Sequence, residues 1–381
     1  MEELILAKNE NKIQSVWGFF KKDFVFTISF LLAIGSCFIH LPKLEYINFK
    51  VLVSLLNLMI TIKAFEELKL LEKIAIAILN KCTNSKSVSA ILVLLCFISS
   101  MLVTNDVALI TFVPLTLIIS KKANINMIET IILQTVAANI GSSLTPMGNP
   151  QNLYIFSFYG LEPFQFFRSV LFLAIIGIGF LCLSFYRLKS KEIKVGLSEI
   201  QIKDRRKALL WGIIFLLIIS SIFGVLSYKI AFIITMLAVL GLDRKLFLKI
   251  DYILLLTFIC FFIFIGNVSN MDSVQYLAST SLRNTTSVYF NSILLSQFIS
   301  NVPASILLSH FTSEWKPLLL GVNIGGLGTI IASLASVISY KLFLQTNPHQ
   351  SKNYLKKFSI YNFSFLTFLS LVQYFLLRYN K

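Results

Sequence analysis

The chain has 381 residues, of which 56% are hydrophobic and only 14% are charged, and its mean hydropathy is +0.79. A soluble protein of this length could not cover so much apolar surface with polar groups, so an ordinary soluble protein is excluded. The net charge of +16 lies mainly in short loops between apolar segments, which is typical of membrane proteins and argues against a nucleic-acid partner. The composition therefore predicts an all-α polytopic membrane protein surrounded by membrane lipid.

The apolar segments predict about 9–11 transmembrane segments. In chain order the candidate spans are 24–40, 49–64, 88–103 with 105–120, 127–158, 165–186, 208–226, 230–242, 251–266, 285–300 with 303–311, 316–338 and 358–377. Two of them, 127–158 and 316–338, are interrupted near 141–150 and 323–328 by glycines and polar residues. The five cysteines are scattered and predict neither a disulfide framework nor a metal site.

Lysine and arginine set the predicted orientation, because they concentrate on the cytoplasmic side of membrane proteins. Lys21 and Lys22 place the N-terminal segment 1–23 in the cytoplasm, and the basic stretch 187–207 must lie there too. Both conditions hold only if segment 88–120 enters and leaves the membrane on the same side. Counting the remaining membrane crossings along the chain places the C-terminus on the outer side of the cell membrane.

This topology predicts two inverted repeats, because each half reads span, span, hairpin, broken helix, span in opposite directions. Repeat one covers 24–187 and repeat two covers 230–378. Residues 188–229 form a basic cytoplasmic linker with one extra transmembrane helix. Inverted repeats of this kind place the substrate near the membrane midplane.

The two predicted hairpins turn at Thr104-Asn105-Asp106 and at Ser300-Asn301-Val302-Pro303. As one helix, residues 88–120 would be about 50 Å long, far more than a ~30 Å hydrocarbon core requires, so the chain must fold back. Each arm has about 16 residues, or ~24 Å, which favours a re-entrant hairpin with its tip at membrane depth. The alternative is a pair of short spans with a hydrated turn on the far side.

The interrupted helices supply further candidate binding residues. The first break contributes Asn139, Gly141, Ser142, Ser143, Thr145 and Asn149, and the second contributes Asn323, Gly325, Gly326 and Thr329. Proline and glycine end the helix and expose its carbonyl groups, which suit Na⁺, while free N–H groups at a helix start suit an anion. These residues, with Thr104, Asn105, Asp106, Ser300 and Asn301, form the predicted substrate- and ion-binding site. The alternative is that the asparagines and glycines serve only helix packing.

Asp106 is the only acid predicted to lie deep in the membrane, where a carboxylate acts as counter-ion, proton carrier or cation ligand. The alternative is an N-cap for a helix that starts at Val107. Repeat two has Val302 at the corresponding position, so only repeat one can contribute a charge here. Coupling Na⁺ is expected near Asn105, Asp106, Asn139 and Gly141, and near Asn301, Asn323 and Gly325.

At these residues the chain resembles the ion transporter superfamily of citrate and dicarboxylate carriers, arsenite permeases and sodium/proton antiporters. The run from Thr104 to Pro114 is similar to the first hairpin motif of arsenite-permease-like members, and Asn139 to Asn152 resembles their Gly-Asn-Pro-Gln-Asn break. The resemblance implies an inverted-repeat fold, a scaffold part and a moving part, elevator-type alternating access and often a homodimer. In the sodium-coupled dicarboxylate branch the tips read Ser-Asn-Thr; here the asparagine matches in both tips and the threonine after it is absent.

The expected function is secondary active transport of a small anion, a carboxylate or an inorganic oxyanion, across the cell membrane. The expected coupling ion is Na⁺ or H⁺, and no cofactor is expected. The alternatives on the same fold are a Na⁺/H⁺ antiporter and an arsenite efflux permease. An enzyme is not expected, because the three histidines lie at segment ends or in loops and no nucleophile, metal or phosphate motif occurs. A channel is disfavoured because the paired closed tips favour gated access over a continuous pore.

Overall fold

A computed structural model describes residues 24–379 except 194 and 203. The predicted N-terminal segment 1–23, with Lys21 and Lys22, lies outside the described residues. The described residues form seventeen α-helices joined by loops and four short 3₁₀ turns. In chain order the helices are α1 Phe24–Cys37, α2 Phe49–Glu67, α3 Leu70–Leu79, α4 Ser85–Val103, α5 Asn105–Ala123, α6 Ile128–Ser142, α7 Pro150–Phe158, α8 Pro163–Phe185, α9 Arg205–Ile222, α10 Tyr228–Leu242, α11 Tyr252–Val268, α12 Asp272–Ser281, α13 Thr285–Ile299, α14 Asn301–Ser309, α15 Trp315–Gly325, α16 Leu334–Thr346 and α17 Ser351–Tyr379.

Every predicted span falls on a helix, but two helices occur where the sequence analysis placed no span. These are α3, between α2 and α4, and α12, between α11 and α13. Helix α12 bends by 96° from the axis of α11, and none of its residues is buried. Each is only 10 residues long, too short to cross a membrane, and therefore serves as a connecting helix.

Three described helical segments are long and apolar enough to cross a membrane: α4, α8 and Pro348–Tyr379, the last of which is mostly α17. The bent pair α11 and α12 makes a fourth candidate. Helices α2, α5 and α9 have 18 or 19 residues, but each carries three or four charged residues, mostly near its ends. Turns and breaks divide the predicted spans 127–158, 285–311 and 316–338 into shorter helices, whereas α1, α10 and α11 are undivided helices of 14, 15 and 17 residues.

Both predicted hairpins turn over a single residue. Thr104 has φ 80° and ψ 151°, and Ser300 has φ 74° and ψ 154°. This positive-φ region is almost restricted to glycine, so it is a strained conformation for both residues. Helix α4 packs against α5, and α13 packs against α14, so the chain reverses at each turn.

The arms of the first hairpin are longer than the predicted 16 residues. Helices α4 and α5 have 19 residues each, or about 28 Å. The predicted arm length was too short because it counted only the apolar run. Asn84 caps α4 by accepting a hydrogen bond from Ser87 N, so the helix also includes the polar residues before that run. The arm length of the first hairpin therefore does not favour a re-entrant hairpin. In the second hairpin the arm α14 has only nine residues, which is too short to cross the membrane.

The first broken helix matches its predicted position, with α6 and α7 separated by residues 143–149. The second break lies later than the predicted 323–328. Helix α15 runs to Gly325, the 3₁₀ turn Ile330–Ala332 follows, and α16 continues to Thr346, beyond the predicted end at 338. The prediction ended early because Tyr340, Lys341 and Gln345 interrupt the apolar pattern, although one face of α16 remains buried.

The helices pack into two groups. The first helix group consists of α1, α2, α9, α10 and α11, and the second helix group consists of α4–α8 and α13–α17. The main packing between the two groups is that of α2 against α7 and of α11 against α14. Helix α3 joins α2 to α4, and α12 joins α11 to α13, so these two connecting helices link the groups.

The described part of the basic linker folds back onto the start of α4. Asn80 donates to Leu197 O at 2.9 Å and accepts from Leu197 N at 2.8 Å. Ser85 N donates to Lys191 O at 2.8 Å. The linker is therefore fixed against the open end of the first hairpin; Lys194 and Lys203 lie outside the described residues.

Gly141 lies where α6 crosses α4, and a Cβ there would overlap the Phe97 carbonyl oxygen and the Ser100 hydroxyl. We expect Gly141→Ala to lower the free energy of unfolding by about 1–3 kcal/mol, because backbone cannot move aside easily. Gly179→Ala on α8 is the control, since its Cβ would meet nothing within 4 Å and alanine favours helix. Thermal melting of both variants in detergent checks the prediction. Equal melting temperatures would mean that α4 and α6 do not approach closely here.

Candidate functional site

Six buried asparagines from the two hairpin turns and the two broken helices form one group, here called the amide cluster. Its members are Asn105, Asn139, Asn149, Asn152, Asn301 and Asn323. Each is at most 5% exposed. Five of the six are in the predicted site list, and the structure brings them together from segments about 200 residues apart.

The first hairpin contacts the first break directly. Asn105 Nδ2 donates to Asn139 Oδ1 at 3.1 Å, and Asn105 N donates to Gly148 O at 3.1 Å. Asn139 then reaches the second break, since its Nδ2 lies 3.4 Å from Gly326 O and its Oδ1 accepts from Ser333 Oγ at 3.0 Å. One asparagine therefore joins both halves of the chain.

A second connection between the halves runs through Asn323. Its Oδ1 accepts from Asn149 Nδ2 at 3.2 Å, and its Nδ2 donates to Asn152 Oδ1 at 2.7 Å. Asn149 also donates to Ser142 Oγ at 3.1 Å. The two broken helices therefore meet through side-chain amides rather than through apolar packing alone.

The second hairpin approaches the cluster through Asn301. A Cβ built on Gly326 would lie 2.7 Å from Asn301 Nδ2, so glycine is required for this approach. Ser300 Oγ donates to Ala332 O at 3.3 Å and holds the turn against the second break. The turn residue Thr104 has no side-chain capping bond.

The carbonyl groups that the breaks set free are largely hydrogen-bonded, contrary to the expectation that they are exposed for a cation. Asn152 Nδ2 donates to the carbonyls of Ser142, Ser143 and Thr145 at 3.1–3.2 Å. In the second break, Gln297 Nε2 donates to Gly325 O at 2.7 Å and to Leu327 O at 3.0 Å. A buried carbonyl without a partner is costly, and these two carboxamides remove that cost.

The other predicted residues hold the cluster in place rather than joining it. Gly141 packs against Ser100 of α4, and Gly325 packs against Ser296 of α13. Thr145 donates to Met101 O, and Ser143 Oγ donates to Ile140 O of its own helix. Thr329 Oγ1 donates to Gln297 O at 2.9 Å, which ties the second break to α13.

Asp106 lies in the first turn of α5, and Thr104 occupies the N-cap position. The alternative of Asp106 as an N-cap is therefore wrong, because the helix begins at Asn105 rather than Val107. The amide N–H of Asp106 donates to Asn105 Oδ1 at 3.0 Å. Its Oδ1 is buried and has no hydrogen-bond partner among the described residues.

The cluster is built to meet charge of either sign. Helices α5, α7 and α14 all start there, and helix N-termini favour anions through their free N–H groups and dipoles. The carboxamides add both donors and acceptors without a fixed charge. The Oδ1 atoms of Asn105 and Asn139 already accept hydrogen bonds, so a cation at the first predicted Na⁺ position would compete with the bonds to these oxygens.

Three residues of this region were absent from the predicted site: Asn152, Gln297 and Ser333. Asn152 ends the motif that identifies the first break, but the predicted site does not include it. Gln297 was detectable as a polar residue three positions before Ser300 in an apolar run. Ser333 had no comparable signal, since its role depends on the placement of Asn139 beside it.

The all-helical fold with apolar helices and a buried polar cluster at paired chain breaks defines a membrane transport protein. Comparison with known proteins agrees, since the citrate transporter family profile matches residues 16–315. The chain belongs to this family, which is a family of membrane transporters and not of enzymes.

Several relatives match along most of the chain. An uncharacterized transporter of Methanocaldococcus jannaschii is 37% identical over 319 residues, which cover 83% of this chain and 87% of the relative. The inner membrane protein YbiR of Escherichia coli is 28% identical over 371 residues, covering 93% and 95%. A 46 kDa membrane protein of Mycobacterium leprae is 24% identical over 342 residues, covering 78% and 79%.

Asn152 tests whether the first break depends on its carboxamide. In Asn152→Asp a carboxylate would face the three carbonyls that Asn152 now bonds, and we expect a loss of at least about 1–3 kcal/mol of stability. Asn126→Asp is the control, because Asn126 is exposed and its Oδ1 already accepts from Ile128 N at the start of α6. Thermal melting in detergent measures both; an unchanged melting temperature for Asn152→Asp would contradict the role of Asn152.

Proposed function

We propose that the protein is a secondary active transporter that moves a small carboxylate or inorganic oxyanion across the cell membrane, driven by Na⁺ or H⁺. The amide cluster carries this proposal, because it combines three helix N-termini with buried carboxamide donors. A neutral site of this kind binds an anion without a permanent countercharge. The site can therefore switch its access from one side of the membrane to the other both when it is empty and when anion and cation are bound together.

An inverted repeat would give this function two matching halves around one site, and the two halves correspond at several positions around the cluster. Gly141 packs against Ser100, four residues before the turn at Thr104, and Gly325 packs against Ser296, four residues before the turn at Ser300. In both halves the asparagine two positions before the glycine belongs to the cluster. These matches support a duplication, and we propose that the second copy is inverted, with re-entrant hairpins.

Alternating access of elevator type is supported by the two helix groups. The second helix group holds the whole amide cluster, and the first contacts it mainly through α2 and α11. The connecting helices α3 and α12 allow one group to slide past the other. We propose that the second group moves, that the N-terminus is cytoplasmic and the C-terminus outside, and that the first group forms a homodimer contact.

Cation/proton antiport is the second candidate, and it is favoured by Asp106. A buried carboxylate oxygen without a protein partner among the described residues is a ready ligand for Na⁺ or H⁺. In this case Na⁺ would drive proton movement in proteoliposomes without any anion present. Asp106→Asn would abolish that movement.

The anion is first identified by a thermal-shift screen of carboxylates and oxyanions on purified protein, with and without Na⁺. We then expect Asn105→Ala and Asn301→Ala to reduce gradient-driven uptake of that anion roughly tenfold or more, because each loss removes a donor from the buried site. Asn362→Ala on α17 is the control, since Asn362 is equally buried and lies outside the cluster. Uptake that ignores every imposed ion gradient would contradict secondary transport.

Cross-linking tests whether the helix groups move. The rings of Tyr154 on α7 and Phe262 on α11 have centroids 5.8 Å apart, so a short bis-methanethiosulfonate linker between Tyr154→Cys and Phe262→Cys would join the two groups. We expect this cross-link to abolish uptake and a reductant to restore it. The control pair is Ser89→Cys with Thr130→Cys, whose hydroxyls are 2.7 Å apart within the second group. Full uptake by the cross-linked α7–α11 pair would exclude sliding of the groups.

A further inference from the structure

A cavity of about 1030 Å³ lies where the ends of α5 and α16 meet the start of α6. Lys121, Asn124, Gln345 and Asn347 are among its polar lining residues. Ile131 and Phe343 also line it, and both are at most 2% exposed, so the cavity extends into the protein. By the predicted orientation it opens toward the cytoplasm.

A row of hydroxyl groups continues from this cavity along the contact between α6 and α16, here called the seam. One helical turn beyond Ile131 and Phe343, Thr135 Oγ1 donates to Ser339 Oγ at 2.7 Å. The hydroxyl of Tyr354 lies 3.0 Å from the same Ser339 Oγ. All three side chains are fully buried.

The far end of the seam is the amide cluster, where Ser333 Oγ donates to Asn139 Oδ1 at 3.0 Å. The pairs Thr135–Ser339 and Asn139–Ser333 show that α6 and α16 run antiparallel. From Ile131 to Asn139 the distance along α6 is about 12 Å. The cavity and the cluster are therefore separated by little more than two helical turns.

Ser336 lies in the middle of the seam, one turn from Ser333 and one turn from Ser339. It is fully buried, and its hydroxyl has no hydrogen-bond partner among the residues that the structure describes. A buried serine normally bonds a carbonyl of its own helix, as Ser305 does with Val302 O at 2.7 Å. A buried hydroxyl that does not is normally satisfied by an internal water molecule.

The chemistry of the seam selects water over an ion. Its side chains are neutral hydroxyls that each donate and accept, which suits a chain of water molecules. Thr135 and Ser339 are in direct contact, so water passes this point only when the pair separates, and a hydrated Na⁺ or an anion would need a wider opening. Lys121 lines the cavity at one end, and Asp106 follows Asn105 of the amide cluster at the other.

We propose that the seam is a water path that connects the cavity with the amide cluster through the second helix group. The existence of the path is inferred from the geometry alone, whereas its role depends on the proposed transport function. Water entering here would hydrate the cluster from the cytoplasmic side without passing between the two helix groups, where the anion would travel. Substrate and water would then use separate routes to one site.

Thiol oxidation of the full-length protein in membrane vesicles tests the path. In Ser336→Cys we expect hydrogen peroxide, a neutral probe little larger than water, to oxidise the thiol at position 336 to sulfenic acid roughly tenfold faster than the thiol at position 305 in Ser305→Cys, because thiols react as hydrated thiolates. Ser305 is also fully buried, but its hydroxyl is bonded within its own helix. Peptide mass spectrometry resolves the position, so the native cysteines stay in place. Equal rates at the two positions would overturn the proposal.

Hydroxyl-radical footprinting of the unmodified protein gives a second readout that no folding defect can affect. Radicals form from water, so we expect Tyr354 beside the seam to be oxidised several-fold faster than Tyr154, which is equally buried on α7. Equal protection of both tyrosines would overturn the water path. Neither measurement needs a substrate, so a failure of the transport proposal would leave these results unaffected.

Discussion

The structure depends on one constraint: backbone that leaves a helix within an apolar interior must still have its polar groups satisfied. Both broken helices meet this constraint with a single carboxamide side chain. Asn152 bonds three freed carbonyls of the first break, and Gln297 bonds two of the second and accepts from Thr329 N. Without them each break would carry several unpaired carbonyls, so the open backbone near the cluster exists only because these residues support it.

The hairpin turns add strain that the same contacts must hold. Thr104 and Ser300 occupy a region of backbone conformation that costs residues other than glycine of order 1–3 kcal/mol. The asparagine after each turn is fixed in the cluster, through Asn139 in one half and beside Gly326 in the other. The hydrogen bonds of the amide cluster therefore hold two strained turns in place.

Charge in the site is unequal although the two halves match in shape. Asp106 follows the asparagine of the first turn, and Val302 follows that of the second. The first half therefore offers a carboxylate to a cation, while the second offers only amides, hydroxyls and backbone. In the proposed transport cycle, an anion and its coupling cation would therefore meet different partners in one buried cluster.

The sequence by itself determined the helical membrane fold, the places of both hairpin turns and of the first break, and five of the six asparagines that meet. These features are local, since composition, proline, glycine and polar residues in apolar runs act within a few positions of themselves. The connecting helices α3 and α12, the late second break and the roles of Gln297 and Ser333 appeared only in the structure. The inverted orientation and the re-entrant hairpins stay predictions. Only tertiary packing decided that the two breaks meet through their amides, because Asn149 and Asn323 lie 174 residues apart and no local pattern brings Asn149 Nδ2 within 3.2 Å of Asn323 Oδ1.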